Sequence, residues 1–275
     1  MLISRLQILA LFILIASFFT ASVGYTREGA ESFPFSDFSS LKKTDTAEVV
    51  SIIDPYTLQL HDGRIVRLSG IEFPDFTVHE AGEFSVLAMK VLEDMLLGQG
   101  VNIYQTPKKD WGRTTHLGHH LAHIERIDGD VWVQGSLLAL GLAQVNTTQR
   151  TPELAQEMYS LEKQAREQKL GLWEDEKFKI LTTDEAAEHL DNWHIVEGTI
   201  ESAALKNNRI FLNFGKDWRT DFTVSIAPKD KRLFSKAGLD PLGWGGKAVR
   251  VRGWLRSYNG PYMEIDHPEA IETTP

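Results

Sequence analysis

The sequence contains no cysteine among its 275 residues. This absence excludes disulfide bonds, thiolate zinc sites, cysteine nucleophiles and a lipid-modified cysteine anchor. Basic charge is also in short supply, since 29 Lys and Arg face 38 Asp and Glu and leave a net charge of −9. A chain of this charge is not a nonspecific polyanion binder of the histone type, so any nucleic acid has to be held locally. The composition is otherwise that of a globular protein, with 42% hydrophobic and 24% charged residues.

One long apolar run stands at the N-terminus, from Leu6 to about Val23, preceded by Arg5 and followed by small residues. This order is typical of a secretory signal, and we expect export with cleavage after about Gly24. Because the run approaches the ~20 residues that cross a bilayer, an uncleaved anchor is the alternative. The protein is therefore expected to be periplasmic or secreted, or else attached to the membrane through residues 6–23.

Changes in composition divide the chain into five segments. These are a leader at 1–24, a linker at 25–46, a first domain at 47–174, an acidic connector at 175–192 and a second domain at 193–275. Charge is divided unevenly between them. Residues 25–192 carry 16 Lys or Arg and 28 Asp or Glu, a net −12, whereas residues 193–275 carry 12 and 10, a net +2. The second domain is therefore the better platform for a polyanion.

Hydrophobic periodicity and turn residues predict the elements of both domains. In the first domain we expect strands at 48–53, 57–61, 64–69, 101–104, 121–127 and 131–133, with helices at 84–97, 134–140 and 152–168. In the second domain we expect strands at 196–202, 209–214, 222–226, 248–257 and 262–265, with a short helix at 229–236. Five strands with one helix in this order are typical of a small OB-like β-barrel.

Four blocks of the first domain resemble the staphylococcal-nuclease-like domains of the thermonuclease family. The blocks are VVSIIDPYTLQLHDGRIVRLSGIEFPD at 49–75, KKDWGR at 108–113, VQGSLLALGLAQV at 133–145 and LEKQAREQKLGLW at 161–173. They keep the order of the family, and the resemblance covers about residues 48–173. It implies an OB-fold barrel of the nuclease type. Together with the second small OB-like β-barrel predicted from the strand order of residues 193–275, the expected fold class is mainly β with helices (α+β).

The resemblance also implies a chemistry. In that family a Ca²⁺ ion, held mainly by two Asp carboxylates, lies against the scissile phosphate of DNA or RNA, a Glu positions the attacking water, and two Arg stabilise the phosphorane charge. Position by position, the two arginines fall on Arg67 and Arg113 and the general base falls on Asp75. The two metal-binding positions fall on Tyr56 and Glu72.

These positions depart from the family in ways that put hydrolysis in doubt. A phenol such as Tyr56, with a pKa near 10, is a poor Ca²⁺ ligand at neutral pH. Glu72 and Asp75 keep a charge but move it by one methylene, and a misplacement of ~1 Å can cost about 100-fold in rate. We therefore expect Ca²⁺-dependent hydrolysis to be weak or absent. Alternatives remain open: Arg67 and Glu72 as a structural ion pair, Asp75 as a helix cap, and an insertion at 114–120 that displaces Arg113.

Two further groups are candidate binding residues. His116, His119, His120 and His123 can be interpreted as a Zn²⁺ or Cu²⁺ site, although a solvated loop between strands is the expectation. In the second domain, four residues of one predicted strand combine guanidinium groups with an indole, as nucleic-acid-binding surfaces do. These four are Arg250, Arg252, Trp254 and Arg256. The alternative for this strand is an exposed face with solvated arginines.

The sequence leaves three functions open. The first is a Ca²⁺-dependent nuclease that acts on DNA or RNA. The second is a nucleic-acid-binding module that does not cut, and the third is a scaffold that binds protein partners in the cell envelope. Tyr56 argues against the first function, and the acidic charge of residues 25–192 weakens the second.

Overall fold

The computed structural model describes residues 34–109, 111–217 and 219–273. The predicted leader and residues 25–33 of the predicted linker lie outside the described residues. Within the described part of the chain, no helix has both the length and the apolar character needed to cross a bilayer.

The first half of the described chain forms a closed five-stranded barrel with helices on its surface. The elements are β1 (Lys42–Asp54), β2 (Thr57–Leu60), β3 (Ile65–Leu68), β4 (Ile71–Glu72), α1 (Glu83–Leu96), β5 (Gly100–Gln105), β6 (His120–Arg126), β7 (Val131–Trp132), α2 (Val133–Ala139), β8 (Gln144–Val145) and α3 (Ala155–Glu167). The strands follow the order β3-β2-β1-β5-β6-β7, and a parallel pairing of β3 with β6 closes the barrel. Outside the barrel, β4 pairs with β8. We call this unit the first barrel.

The second half forms a larger sheet that we call the C-terminal half-barrel. Its elements are β9 (Leu181–Thr182), β10 (Asn192–Thr199), β11 (Ser202–Lys206), β12 (Arg209–Asn213), β13 (Thr223–Ile226), α4 (Lys231–Lys236), β14 (Ala248–Ser257), β15 (Pro261–Ile265) and β16 (Ile271–Thr273). The strand order is β11-β12-β13-β15-β14-β10-β9, with β16 added to β14. No pairing among the described strands joins β11 to β9, so the sheet stays open. The predicted fold class, mainly β with helices and an OB-like barrel followed by an OB-like unit, is confirmed.

The element boundaries differ from the prediction where side-chain patterns are weak. β1 begins at Lys42, inside the segment predicted as a linker, because the exposed residues at its start carry no hydrophobic period. Phe38, which precedes it, is buried and stacks on Tyr104 with the ring centroids 4.2 Å apart. The third helix begins at Ala155 rather than 152, because Leu154 at its N-cap adopts a left-handed conformation with φ of 62°.

A buried ion pair joins the first barrel to the C-terminal half-barrel. Glu162 of α3 has 0% exposure and Arg252 of β14 has 5%. Their contact is bidentate, with Arg252 Nη2 donating to Glu162 Oε2 at 2.5 Å and Nη1 donating to Oε1 at 3.0 Å. Arg252 Nη2 also donates to Glu272 at 2.8 Å, and the guanidinium lies 4.6 Å from the ring centroid of Tyr159. Two charges are thus removed from water together, and each depends on the other.

The segment that follows α2 is held by the same junction. Glu162 Oε1 accepts a hydrogen bond from the backbone N–H of Val145 at 2.7 Å. Thr147 Oγ1 lies 2.9 Å from His267 Nε2, and Gln149 Nε2 donates to Asp230 at 2.9 Å. Alternate residues of this segment therefore contact the C-terminal half-barrel.

Replacing one partner of the ion pair, as in Glu162→Gln or Arg252→Met, should lower the free energy of unfolding by about 3–5 kcal/mol, because the remaining charge stays buried alone. The double variant Glu162→Leu/Arg252→Met removes both charges and should lose less than the two single losses combined. Urea denaturation measures both effects. Lys163→Ala, on the exposed side of the same helix, is the control and should change stability by no more than about 0.5 kcal/mol. Wild-type denaturation midpoints for both single variants would contradict the expectation.

Candidate functional site

Tyr56 stands at the centre of the candidate site. It follows the end of β1 in a turn that Asp54 stabilises by accepting the backbone N–H of Tyr56 at 2.8 Å. The side chain is only 5% exposed, and its ring packs edge-on against Phe73 at a centroid distance of 4.8 Å. The turn and this packing direct the phenol toward the strand β4.

The phenol of Tyr56 is hydrogen-bonded on both of its sides. Its hydroxyl donates to Glu72 Oε1 at 2.6 Å and accepts the backbone N–H of Phe73 at 3.0 Å. Burial raises the pKa of Tyr56, and the negative charge of Glu72 raises it further. The phenol is therefore neutral at neutral pH and serves as a hydrogen-bond donor rather than an anionic ligand.

Glu72 is held from its other side by Asn146. The pairing of β4 with β8 sets Glu72 opposite Gln144, and Asn146 Nδ2 donates to Glu72 Oε2 at 2.8 Å. Both carboxylate oxygens of Glu72 thus accept hydrogen bonds from the protein. Sequence reasoning missed Asn146, which is uncharged and lies one residue beyond the block 133–145 that resembles the nuclease family.

Arg67 completes this group. It lies on β3, is partly exposed, and places its guanidinium carbon 4.1 Å from the ring centroid of Tyr56. This is the geometry of a cation–π contact. The site therefore brings together four side chains, those of Tyr56, Arg67, Glu72 and Asn146. The carboxylate of Glu72 accepts hydrogen bonds from the phenol of Tyr56 and the amide of Asn146.

Asp75 faces a different partner. Its Oδ2 accepts the backbone N–H groups of Phe84 at 2.8 Å and Ser85 at 3.2 Å, and its Oδ1 accepts the hydroxyl of Ser85. These groups begin α1, so Asp75 caps this helix, one of the alternatives that the sequence left open. Gly82 makes the approach possible, because a Cβ there would come within 2.4 Å of the Asp75 carboxylate.

The backbone of Arg113 lies close to the strand that carries Arg67, but the side chain of Arg113 points toward its own loop. Leu121 is the strand partner of Arg67, and its N–H donates to the carbonyl of Arg113 at 2.9 Å. The guanidinium donates through Nε to the carbonyl of Thr106 at 2.8 Å and through Nη2 to that of Pro107 at 3.1 Å. It therefore stabilises its own loop.

The histidine group is divided between surface and core. His116 is exposed and His119 partly so, whereas His123 is 2% exposed and accepts a hydrogen bond from Trp132 Nε1 at its Nδ1, at 3.3 Å. Burial lowers the pKa of His123 to about 3. Across the described residues, no three His, Asp or Glu side chains are placed to hold a metal ion together.

The four candidate residues of β14 separate into two pairs. Arg250 forms ion pairs with Glu197 and Glu272, and Arg252 is buried against Glu162. Burial leaves Arg252 no surface for a phosphate, so we remove it and the engaged Arg250 from the candidate nucleic-acid surface. Trp254 is 49% exposed and Arg256 is exposed, and both remain candidates.

One family model matches part of the chain. Residues 65–175 match the family model described as staphylococcal nuclease homologue. The match includes Arg67, Glu72, Asp75 and Arg113, and it starts after Tyr56. No curated protein matches the chain significantly.

Removing the Tyr56 hydroxyl tests how much its two hydrogen bonds contribute to the stability of the fold. Tyr56→Phe keeps the ring but leaves Glu72 Oε1 and the N–H of Phe73 without this partner, and should lower the free energy of unfolding by about 1–3 kcal/mol. The control is Tyr104→Phe. Its hydroxyl donates to Glu125 at 3.0 Å, but Asn102 also donates to that oxygen, and the loss should be smaller. Equal losses in urea denaturation would show that Tyr56 has no special role.

The buried His123 predicts a pH dependence of stability. An unfolded histidine binds its proton near pH 6.5, whereas the folded protein resists protonation until about pH 3. Between these two pH values the unfolded state binds more protons than the folded state. The contribution of neutral His123 to the free energy of unfolding is therefore complete above pH 6.5 and is lost as the pH falls, by up to about 1.4 kcal/mol per pH unit. His123→Gln should remove this component, and the exposed His116→Gln should retain it. Identical pH profiles for the two variants would contradict the assignment.

Proposed function

Because the first barrel contains residues 65–175, which match the staphylococcal nuclease homologue family model, we propose that the protein binds nucleic acid without Ca²⁺-dependent hydrolysis. The observation that carries this proposal is the hydrogen bond from the Tyr56 phenol to Glu72 at 2.6 Å. The family resemblance implies a metal ligand at the position of Glu72 and another at the position of Tyr56. In this structure the residue at the second position donates a hydrogen bond to the residue at the first.

The donor set at this place does not fit Ca²⁺. The ion takes about 6–8 oxygen ligands and prefers carboxylates. Here one carboxylate, Glu72, already accepts hydrogen bonds from Tyr56 and Asn146. A metal ion would have to share this single carboxylate with two hydrogen-bond donors, and at the second ligand position it would meet a phenol whose raised pKa keeps it neutral. The hydrogen bonds therefore replace the metal as the partner of Glu72.

The remaining catalytic positions are engaged as well. Asp75 accepts three hydrogen bonds at the start of α1, so a water-activating carboxylate would first have to leave its helix. Arg113 donates to two backbone carbonyls of its own loop. Arg67 is the one position of the set that is both partly exposed and free of a backbone partner among its described contacts. A single guanidinium can contact a phosphate but does not assemble a hydrolytic site.

Nucleic-acid binding is supported by the type of domain and by the distribution of charge. The net charge of residues 193–275 is +2, against −12 for residues 25–192, which favours the second part of the chain as the contact region. The order of the N-terminal leader supports export. A mature N-terminus near residue 25 in protein isolated from its host would support cleavage, whereas retention of residues 6–23 would support an anchor.

Incubation of purified protein with supercoiled plasmid and with a labelled single-stranded oligonucleotide tests the proposal. We expect no nicking or shortening that depends on Ca²⁺, measured with and without a chelator. We expect oligonucleotide binding that weakens as salt rises, because phosphate contacts release counterions.

Arg67→Ala is the control for cleavage. Ca²⁺-dependent nicking by the wild type that disappears in Arg67→Ala would overturn the proposal, whereas nicking retained by the variant identifies a contaminating nuclease. Capture of a protein partner that is insensitive to salt, with no oligonucleotide binding, would favour the envelope scaffold instead.

A further inference from the structure

The outer face of the C-terminal half-barrel is built from alternate residues of β14. Val249, Val251 and Leu255 are fully buried in the core of the half-barrel. Because side chains of a strand alternate, the residues between them project to the other face. That face carries Arg250 and Arg252 at one end of the strand and Trp254 and Arg256 at the other.

The two ends of this face have different surroundings. The first end is covered by the first barrel, where Arg252 meets Glu162. The second end is exposed: Trp254 is 49% exposed, and no aromatic ring of residues 34–109, 111–217 or 219–273 makes a ring contact with it. One strand therefore joins the two parts of the molecule and also presents a solvent-exposed surface.

Further aromatic residues extend the open end. Trp193 on β10 lies directly opposite Trp254, and Tyr262 on β15 lies directly opposite Arg256, so each pair shares a face. Tyr258, in the hairpin turn after β14, is 62% exposed, and its ring centroid is 5.4 Å from that of Tyr262. We call the five residues Trp193, Trp254, Arg256, Tyr258 and Tyr262 the aromatic face.

The hairpin that presents Tyr258 is fixed by a close backbone contact. Gly260 has φ of 92°, and a Cβ there would come within 2.7 Å of the carbonyl of Thr220. Tyr258 N–H donates to the carbonyl of Gly260 at 2.9 Å and closes the turn. The aromatic side chains are therefore displayed on an ordered strand pair, which lowers the entropic cost of binding a ligand.

The charge of the aromatic face is positive. Arg256 has no ion-pair partner within the described part of the chain. The neighbouring carboxylate on this side of the sheet, Glu264, is paired with Arg209. A ligand that approaches the face thus meets aromatic rings and one guanidinium whose charge is not compensated.

We propose that the aromatic face binds single-stranded nucleic acid, with bases stacked on the indole and phenol rings and a phosphate on Arg256. The proposal specifies the site and the ligand class for the nucleic-acid binding proposed above, and it rests on that function. Aromatic rings beside a cation recognise bases whose faces are accessible, as in a single strand. A duplex hides those faces, and a neutral polysaccharide would make no use of the Arg256 charge.

The test uses the full-length protein and a fluorescein-labelled oligothymidylate, with binding measured by fluorescence anisotropy. Trp254→Ala is expected to weaken binding by about tenfold or more, through loss of base stacking. Arg256→Ala is expected to weaken binding and to make the slope of log K against log salt shallower by about 0.7, the value for one phosphate contact in a single strand. An unlabelled duplex of the same sequence is expected to compete poorly.

Matched variants control for exposure and charge. Trp111 is 44% exposed on the first barrel and lies against Arg150, so Trp111→Ala removes a similar tryptophan elsewhere. Arg232→Ala removes an exposed arginine of α4 in the same half-barrel. Both controls should bind as the wild type does, and the circular dichroism and urea midpoints of all four variants should match the wild type.

Each contrary result has a defined meaning. Wild-type affinity in Trp254→Ala and Arg256→Ala, with binding lost in Trp111→Ala, would place the surface on the first barrel and overturn this inference alone. Salt-independent binding of a neutral oligosaccharide, or dimerisation that depends on Trp254, would overturn it in favour of that ligand or a second copy. Absence of oligonucleotide binding by the wild type would overturn both proposals, whereas Ca²⁺-dependent cleavage with Trp254-dependent binding would overturn only the absence of hydrolysis.

Discussion

The arrangement of this molecule depends on the buried ion pair between Glu162 and Arg252. Glu162 belongs to the first barrel and is fully buried, but its main partner lies 90 positions later in the chain. The surrounding network balances three arginines against three glutamates, namely Arg166, Arg250, Arg252, Glu162, Glu197 and Glu272. A buried carboxylate without its guanidinium is strongly destabilising, so the first barrel needs the C-terminal half-barrel to hold its last helix in place. The ion pair therefore couples the stability of the two parts.

This constraint reaches the candidate site through a short segment of backbone. Glu162 binds the N–H of Val145, and the next residue, Asn146, donates to Glu72. Glu72 in turn accepts the phenol of Tyr56, which lies beneath Arg67. Under the proposed function, these hydrogen bonds to Glu72 take the place of a metal ion at the site. Tyr56, Glu72 and Asn146 each have a hydrogen-bond partner in this group, which favours stability.

The sequence predicts the parts of this structure that depend on local periodicity. The helix expected at 84–97 is found at Glu83–Leu96, and the strand expected at 248–257 is found at Ala248–Ser257. Short or exposed strands were missed, β11 among them, because a strand such as Ser202–Lys206 with a mostly exposed pattern has no hydrophobic alternation. The candidate carboxylates could be located through the family resemblance, but their partners could not. Whether Asp75 faces a metal or the start of a helix depends on a backbone approach at Gly82 that no pattern in the sequence encodes.

The strand β14 shows why residue type alone does not identify a binding surface. Arg250, Arg252 and Arg256 alternate along one strand and project to one face, so the sequence gives no reason to treat them differently. Their surroundings in the fold separate them, since a guanidinium packed against Glu162 is neutralised and dehydrated whereas Arg256 keeps both its charge and its contact with water. A phosphate gains binding energy only from a cation that is not already paired. The same argument applies to Arg67 and Arg113 in the first barrel. The guanidinium of Arg113 donates to backbone carbonyls of its own loop, whereas that of Arg67 remains accessible.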